Sequence, residues 1–104
     1  MDKRKALKLA QLYASIIRTR FDCKDIYLFG SYARGTFHDE SDIDIAVILG
    51  DFDNPVDMQV RLMKLRRDID SRIEPHPIRE KDFNESHPLA HDILTHGLRI
   101  TSFR

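Results

Sequence analysis

The chain has 104 residues, enough for one domain around one modest core and too few for a second. Lysine plus arginine and aspartate plus glutamate both number 17, and this zero formal charge argues against bulk attraction to nucleic acid or anionic lipid. Charged residues make up 33% and hydrophobic residues 41%, a balance that reads as soluble and globular, not disordered. Cys23 is the single cysteine, so no internal disulfide forms and a reducing, cytoplasmic setting is the simplest expectation.

The N-terminal "MDKRKALKLAQLYASIIRTRF" begins basic and turns apolar, as signal peptides do. Lys8, Gln11 and Arg18 interrupt it before an apolar core of the needed length forms. No run approaches the ~18 apolar residues of a membrane span. Leu9, Leu12, Tyr13, Ile16 and Ile17 instead recur at spacings of three and four, which predicts an amphipathic helix from about Lys5 to Arg20. "DIYLF" (Asp25–Phe29) reads as a first strand stopped by Gly30. "SYARG" is too short for a full helix, with Ser31 suited to cap one turn and Gly35 to close it.

"IDIAVIL" (Ile43–Leu49) is nearly all apolar after Asp44 and predicts a central, buried strand. "GDFDNPVD" is a loop into a helix: Asn54 suits the N-cap, Pro55 the first position and Asp57 the first turn. Met58, Leu62, Leu65 and Ile69 continue it as a stripe at four, three and four. "SRIEPHPI" is a weaker strand, and Pro75 and Pro77, two apart and lacking amide hydrogens, let only one edge of it pair fully. A last helix is expected from about His87 to His96, stopped by Gly97, with "LRI" as a terminal strand. The order α-β-α-β-α-β-α in one domain, residues 1–104, predicts an α/β (α+β) fold with helices packed on a small mixed sheet of three to four strands.

The chemistry concentrates in "LFGSYARGTFHDESDIDIAVIL". Asp42 and Asp44 alternate at the start of a strand, so both carboxylates point to one face, about 6.5–7 Å apart at the backbone. Leaning together they suit hard cations, as two-metal sites ~3.5–4 Å across require. The rival reading is an exposed strand end with two solvated acids. Upstream, Gly30 lets the backbone approach a ligand closely, and Ser31 opens a short turn whose amides would face an anion. Arg34 offers a fork suited to phosphate oxygens. One loop for a phosphate chain and one strand for the metals that neutralise it make a coherent pair.

"GSYARG" followed by "SDIDIAV" resembles the nucleotidyltransferase superfamily signature, a Gly-Ser followed after 10 residues by D-x-D. The Ala-Arg-Gly and Ser-Asp details are similar to the minimal nucleotidyltransferase branch, the small partners of HEPN-domain proteins. The match spans Leu28–Val47, about a fifth of the chain. It implies the nucleotidyltransferase fold, with Gly30 and Ser31 on a triphosphate and Asp42 and Asp44 on Mg²⁺, with two ions expected; Arg34 either steadies the leaving group or salt-bridges to a neighbouring acid. It also implies that nucleoside monophosphate, usually AMP from ATP, passes to an acceptor with release of pyrophosphate. The family's third carboxylate lies on the following strand, where the candidate is Glu74, a Glu in place of the usual Asp. Glu74 would bind metal or take the proton of the attacking hydroxyl; a plain surface glutamate is the competing reading.

Other candidates carry less. His87 and His91 fall at i and i+4 but lack a third ligand at a persuasive spacing, so no zinc site is expected. His76 shares Glu74's strand face and fits a place near the site or a structural role equally well. Cys23 has no visible base partner and is expected to be inert. "RLMKLRR" is basic on one side, but its Leu62, Met63 and Leu65 belong mainly to the core stripe, so direct nucleic-acid binding is not expected.

Larger relatives carry an extra helical domain for the acceptor, which this length leaves no room to build. The hydroxyl is therefore expected on another molecule. By the resemblance, that molecule is a HEPN-type RNase toxin modified by its antitoxin. The alternative is a non-catalytic antitoxin that neutralises its partner by complex formation. Transfer to a small molecule such as an aminoglycoside is a third and weaker reading. Homo- and hetero-oligomers both stay open, and no membrane partner is expected.

Overall fold

The computed structural model describes residues 1–101. Helix α1 (Lys3–Arg20) starts where the Asp2 side chain accepts from the Lys5 amide at 2.8 Å, and it ends with Arg18 and Arg20 at the negative end of its dipole. Its buried face is Ala6, Ala10, Tyr13, Ala14 and Ile17. The predicted stripe is therefore rotated: Tyr13 and Ile17 face inward, but Leu12 is 51% exposed. Three alanines on the inner face let the helix axis approach the sheet, and larger side chains there would hold it off.

Strand β1 (Cys23–Phe29) starts two residues before the expected Asp25. It runs into Gly30 and the single turn α2 (Ser31–Arg34). Gly30, not Ser31, occupies the N-cap position of α2, and Gly35 closes it in the left-handed region with φ +80° while its amide donates to the Ser31 carbonyl. Strand β2 (Ile43–Leu49) matches expectation and is buried along nearly its whole length. In α3 (Pro55–Lys64), Asn54 Oδ1 accepts from the amides of Val56 at 2.9 Å and Asp57 at 3.1 Å. The helix stops before Leu65 and Ile69, which still pack against the core from the turns that follow.

Strand β3 (Ile73–Arg79) leads through a 3-10 turn (Glu80–Asp82) to α4 (Ala90–His96) and the two-residue β4 (Leu98–Arg99). Helix α4 begins three residues later than predicted, because the ring nitrogen Nδ1 of His87 accepts the Leu89 amide in a local turn. The sheet order is β3-β2-β1-β4, with β2 antiparallel to β1 and parallel to β3, and β4 antiparallel to β1. This is the small mixed sheet of the sequence reading, with β2 central and the proline-bearing strand at an edge.

Alternation along the strands gives each face its own core. Ile26, Leu28, Ile43, Ile45, Val47 and Ile73 pack under α1 and α3. Phe29, Ala46, Ile48 and Ile78 pack with Ile93 of α4 on the other face. Asp44, Glu74 and His76 share the parity of Ala46, Ile48 and Ile78, so they stand on the α4 face. They sit at the end of the sheet where β1 finishes and β2 and β3 begin. No helix among the described residues is long and apolar enough to cross a membrane.

Candidate active site

Register makes the site. Phe29, the last residue of β1, pairs with Asp44, and on the other side of β2 Asp44 pairs directly with Glu74. The chain leaving β1 must therefore turn immediately over Asp44, and it does so at Gly30. Here φ is +74°, and an added Cβ would collide with Asp44 Oδ2 and stand 3.1 Å from Asp44 Cγ. Backbone conformation and the closeness of the carboxylate each exclude a side chain, so glycine is required twice over.

Asp44 is fixed on its other side as well. Its Oδ1 lies 3.1 Å from Nε2 of His76, which reaches back along β3 from the register position opposite Ala46. The His76 ring is itself held edge-on to Phe29, with centroids 5.1 Å apart. The sequence placed His76 on Glu74's face without deciding its role; the structure puts it against the second aspartate. Asp42 is exposed, just before β2, and is presented by the loop from His38 to Ser41. In that loop the His38 amide donates to Ser41 Oγ at 2.9 Å and the Ser41 amide to the His38 carbonyl at 3.0 Å. The sequence reading used Ser41 only as part of the Ser-Asp detail of the resemblance; its place in this turn depends on the two bonds with His38.

Glu74 is brought to both aspartates. Burial, foremost, lifts its carboxyl above the ordinary value, a hydrogen bond with Asp42 adds to the rise, and the Asp44 charge contributes further; His76 opposes them. Among the described residues, no lysine or arginine forms an ion pair with Asp42, Asp44 or Glu74. Asp44 and Glu74 converge with the His76 imidazole, and Asp42 reaches Glu74 from the preceding loop. Donor atoms of Asp44, Glu74 and His76 all lie within 4.8 Å of one another. That donor set and its unbalanced negative charge fit a divalent cation.

Ser31 follows Gly30 and opens α2, half-buried beside the carboxylates' turn. Arg34 points to α4: its Nη1 lies 3.0 and 2.9 Å from the two oxygens of Asp92, which also meets His96 Nδ1 at 3.3 Å. Nothing in the sequence marked Asp92 as this partner, since the pair spans 58 positions. His91 lies 3.5 Å from Glu85 and His87 serves its own turn, and neither joins a group of metal donors among the described residues. Burial pushes the Cys23 thiol up to about 11, in keeping with an inert cysteine.

A glycine-serine bend laid over paired carboxylates, at the edge of a small mixed sheet with helices on both faces, defines the nucleotide-transferring class. The comparisons agree. Residues 11–103 match the family model described as Polymerase beta, Nucleotidyltransferase, and the chain belongs to that family. It is 36% identical over 75 residues to the protein adenylyltransferase MntA of Shewanella oneidensis, covering 72% of this chain and 51% of that protein. It is 43% identical over 65 residues to a relative from Methanocaldococcus jannaschii, covering 61% of this chain and 63% of the other. The chain thus spans between half and two-thirds of the length of these curated relatives. Among solved structures, a toxin–antitoxin complex with AMP-PNP superposes over 100% of this chain and 76% of its own, with TM-score 0.61 and 27% identity.

Proposed function

We propose that this chain is the antitoxin of a toxin–antitoxin pair and acts as a protein adenylyltransferase in the cytoplasm. It moves AMP from ATP to a hydroxyl on a HEPN-type partner protein. The reading is carried by one observation: Gly30 closes over Asp44 while Asp44 and Glu74 stand side by side in register. The adenylyltransferase name of the Shewanella relative and the AMP-PNP-bound toxin–antitoxin structure support the substrate and the partner.

In this reading Gly30 and Ser31 take the triphosphate against backbone amides, since no Cβ stands between the bend and the strand. Asp42, Asp44 and Glu74 hold the cation, with two Mg²⁺ expected. When bound, a divalent cation supplies charge neutralisation to the phosphates and to the departing pyrophosphate. The partner's hydroxyl oxygen forms its bond to the α-phosphorus, and the bond from that phosphorus to the β-phosphate bridge breaks. The Glu74 carboxylate, made a stronger base by its burial, takes the hydroxyl proton. Arg34 anchors α2 to α4 through Asp92 and so holds the phosphate bend in place.

The test combines the chain with the helical protein encoded beside it, ATP and Mg²⁺, and weighs the partner by mass spectrometry. A gain of one or more adenylyl units is expected, and it should vanish in the Asp42→Ala/Asp44→Ala double variant. Neutralisation that survives this double variant with no mass change would instead establish the non-catalytic antitoxin.

A further inference from the structure

We propose that His76 is a direct nitrogen ligand of the cation, making this a mixed nitrogen–oxygen site that prefers transition-metal dications to Mg²⁺. The inference rests on the reading that Asp44 and Glu74 hold a metal, and it adds a donor that the two-aspartate motif does not contain. Its basis is geometric. Adjacent donors around a six-coordinate ion with bonds of ~2.1–2.2 Å lie ~3 Å apart. Asp44 Oδ1 and His76 Nε2 stand 3.1 Å apart, and all three donor atoms of Asp44, Glu74 and His76 fall within 4.8 Å of one another.

The backbone explains why His76 can reach. Residues 74 and 76 alternate on one face of β3, and their register partners are Asp44 and Ala46. Ala46 is small, so the imidazole can lean over it toward Asp44, while Phe29 fixes the ring plane from the side. The ring remains accessible, with 23% of its side chain exposed, so it can meet an incoming ion without unpacking the core. Carboxylate-only sites suit Mg²⁺, whose hydration shell is hard to strip. An imidazole adds a softer donor and raises affinity along the series from Mn²⁺ to Co²⁺.

Mn²⁺ is the probe, added to the full chain without nucleotide or partner. Pulsed electron paramagnetic resonance should show ¹⁴N coupling from one imidazole, and competition should show Mn²⁺ bound at least about tenfold more tightly than Mg²⁺. In H76Q the coupling should vanish and Mn²⁺ affinity should fall by about tenfold or more. H87Q, a histidine away from the carboxylates, should retain both. A wild-type chain that binds no Mn²⁺, binds it without nitrogen coupling, or keeps the coupling in H76Q overturns the proposal. If H76Q does not fold by circular dichroism, the wild-type spectrum decides, with H76N as the replacement variant. AMP transfer with Mg²⁺ but no nitrogen coupling would sink this inference and leave the proposed activity standing. Coupling without transfer would do the reverse.

Discussion

Glu74 shows how one side chain can be good for a site and bad for the fold. Its carboxyl is held above the ordinary value by burial and by its neighbours Asp42 and Asp44, so ionising it costs the folded state. The sign follows from linkage: stability is full below the unfolded-state value and is lost as pH rises through the raised folded value. Replacing Glu74 with Gln should therefore raise the metal-free melting temperature at pH 7 by about 1–4 °C. That gain should shrink as the pH falls through the carboxylate range, while the proposed AMP transfer is lost. Added Mg²⁺ should stabilise the wild type more than Glu74→Gln, since only a bound ion offsets the charge. Scanning calorimetry across pH, with and without metal, checks both. Tyr32 is a second local cost. Its ring is fully buried and stacked on Phe37 at 4.6 Å, yet among the described residues its hydroxyl has no hydrogen-bond partner. Tyr32→Phe should stabilise the chain by about 1 kcal/mol in urea unfolding; a destabilised variant would mean the hydroxyl is partnered.

Among the elements, α3 and β3 were the most informative to read. The Asn54-Pro55 start of α3 was legible because capping is local chemistry: one amide oxygen satisfies two amides within three residues. Asn54→Ala should cost about 1 kcal/mol of stability by urea titration, with Asn54→Asp close to wild type. The edge position of β3 was legible for a similar reason. The Arg72 carbonyl accepts from the Ile43 amide, so even-numbered residues turn their backbone groups toward β2 and Pro75 and Pro77 turn theirs outward. Two prolines on that side remove the two central amides that another strand would pair with, which protects the open edge. The end of α3 differs from the apolar spacing because that spacing persists through turns that merely follow a helix, and the start of α4 differs because His87 makes a local turn first. The inward face of α1 was rotated for a related reason. Leucines dominate a periodicity count, but alanines allow the closest approach to the sheet.

At the scale of the whole molecule, two helices on one face free the other for chemistry. Helices α1 and α3 are joined where the Tyr13 hydroxyl donates to the Leu62 carbonyl at 2.6 Å, both residues fully buried. Burial also raises the phenol's titration well above its ordinary value, so it remains a donor across the working pH range. Tyr13→Phe should lower stability by about 1 kcal/mol, or ~4–8 °C in melting temperature, without changing the site on the opposite face. A loss of metal binding in that variant would show that the two faces are coupled. Among the described residues the opposite face carries α4 and the residues after the 3-10 turn, and α4 is tied by Asp92 to Arg34 at the end of α2.

The sequence by itself determined the bend and the strand it faces. Gly30, Ser31, Asp42 and Asp44 lie within fifteen residues, close enough in sequence for one bend and one strand start to present them together. It also determined the edge strand, the Asn54 cap and the element order, all set by interactions between near neighbours. Only the tertiary structure decided what depends on register between distant segments. Glu74 beside Asp44 required β3 to pair in parallel with β2 at one offset, and a slip of one residue would have turned it to the other face. His76 against Asp44, Arg34 against Asp92 and Gly30 over a carboxylate belong to the same class. Each is a contact between residues from 14 to 58 positions apart, fixed by how the sheet's strands align and which face each helix covers.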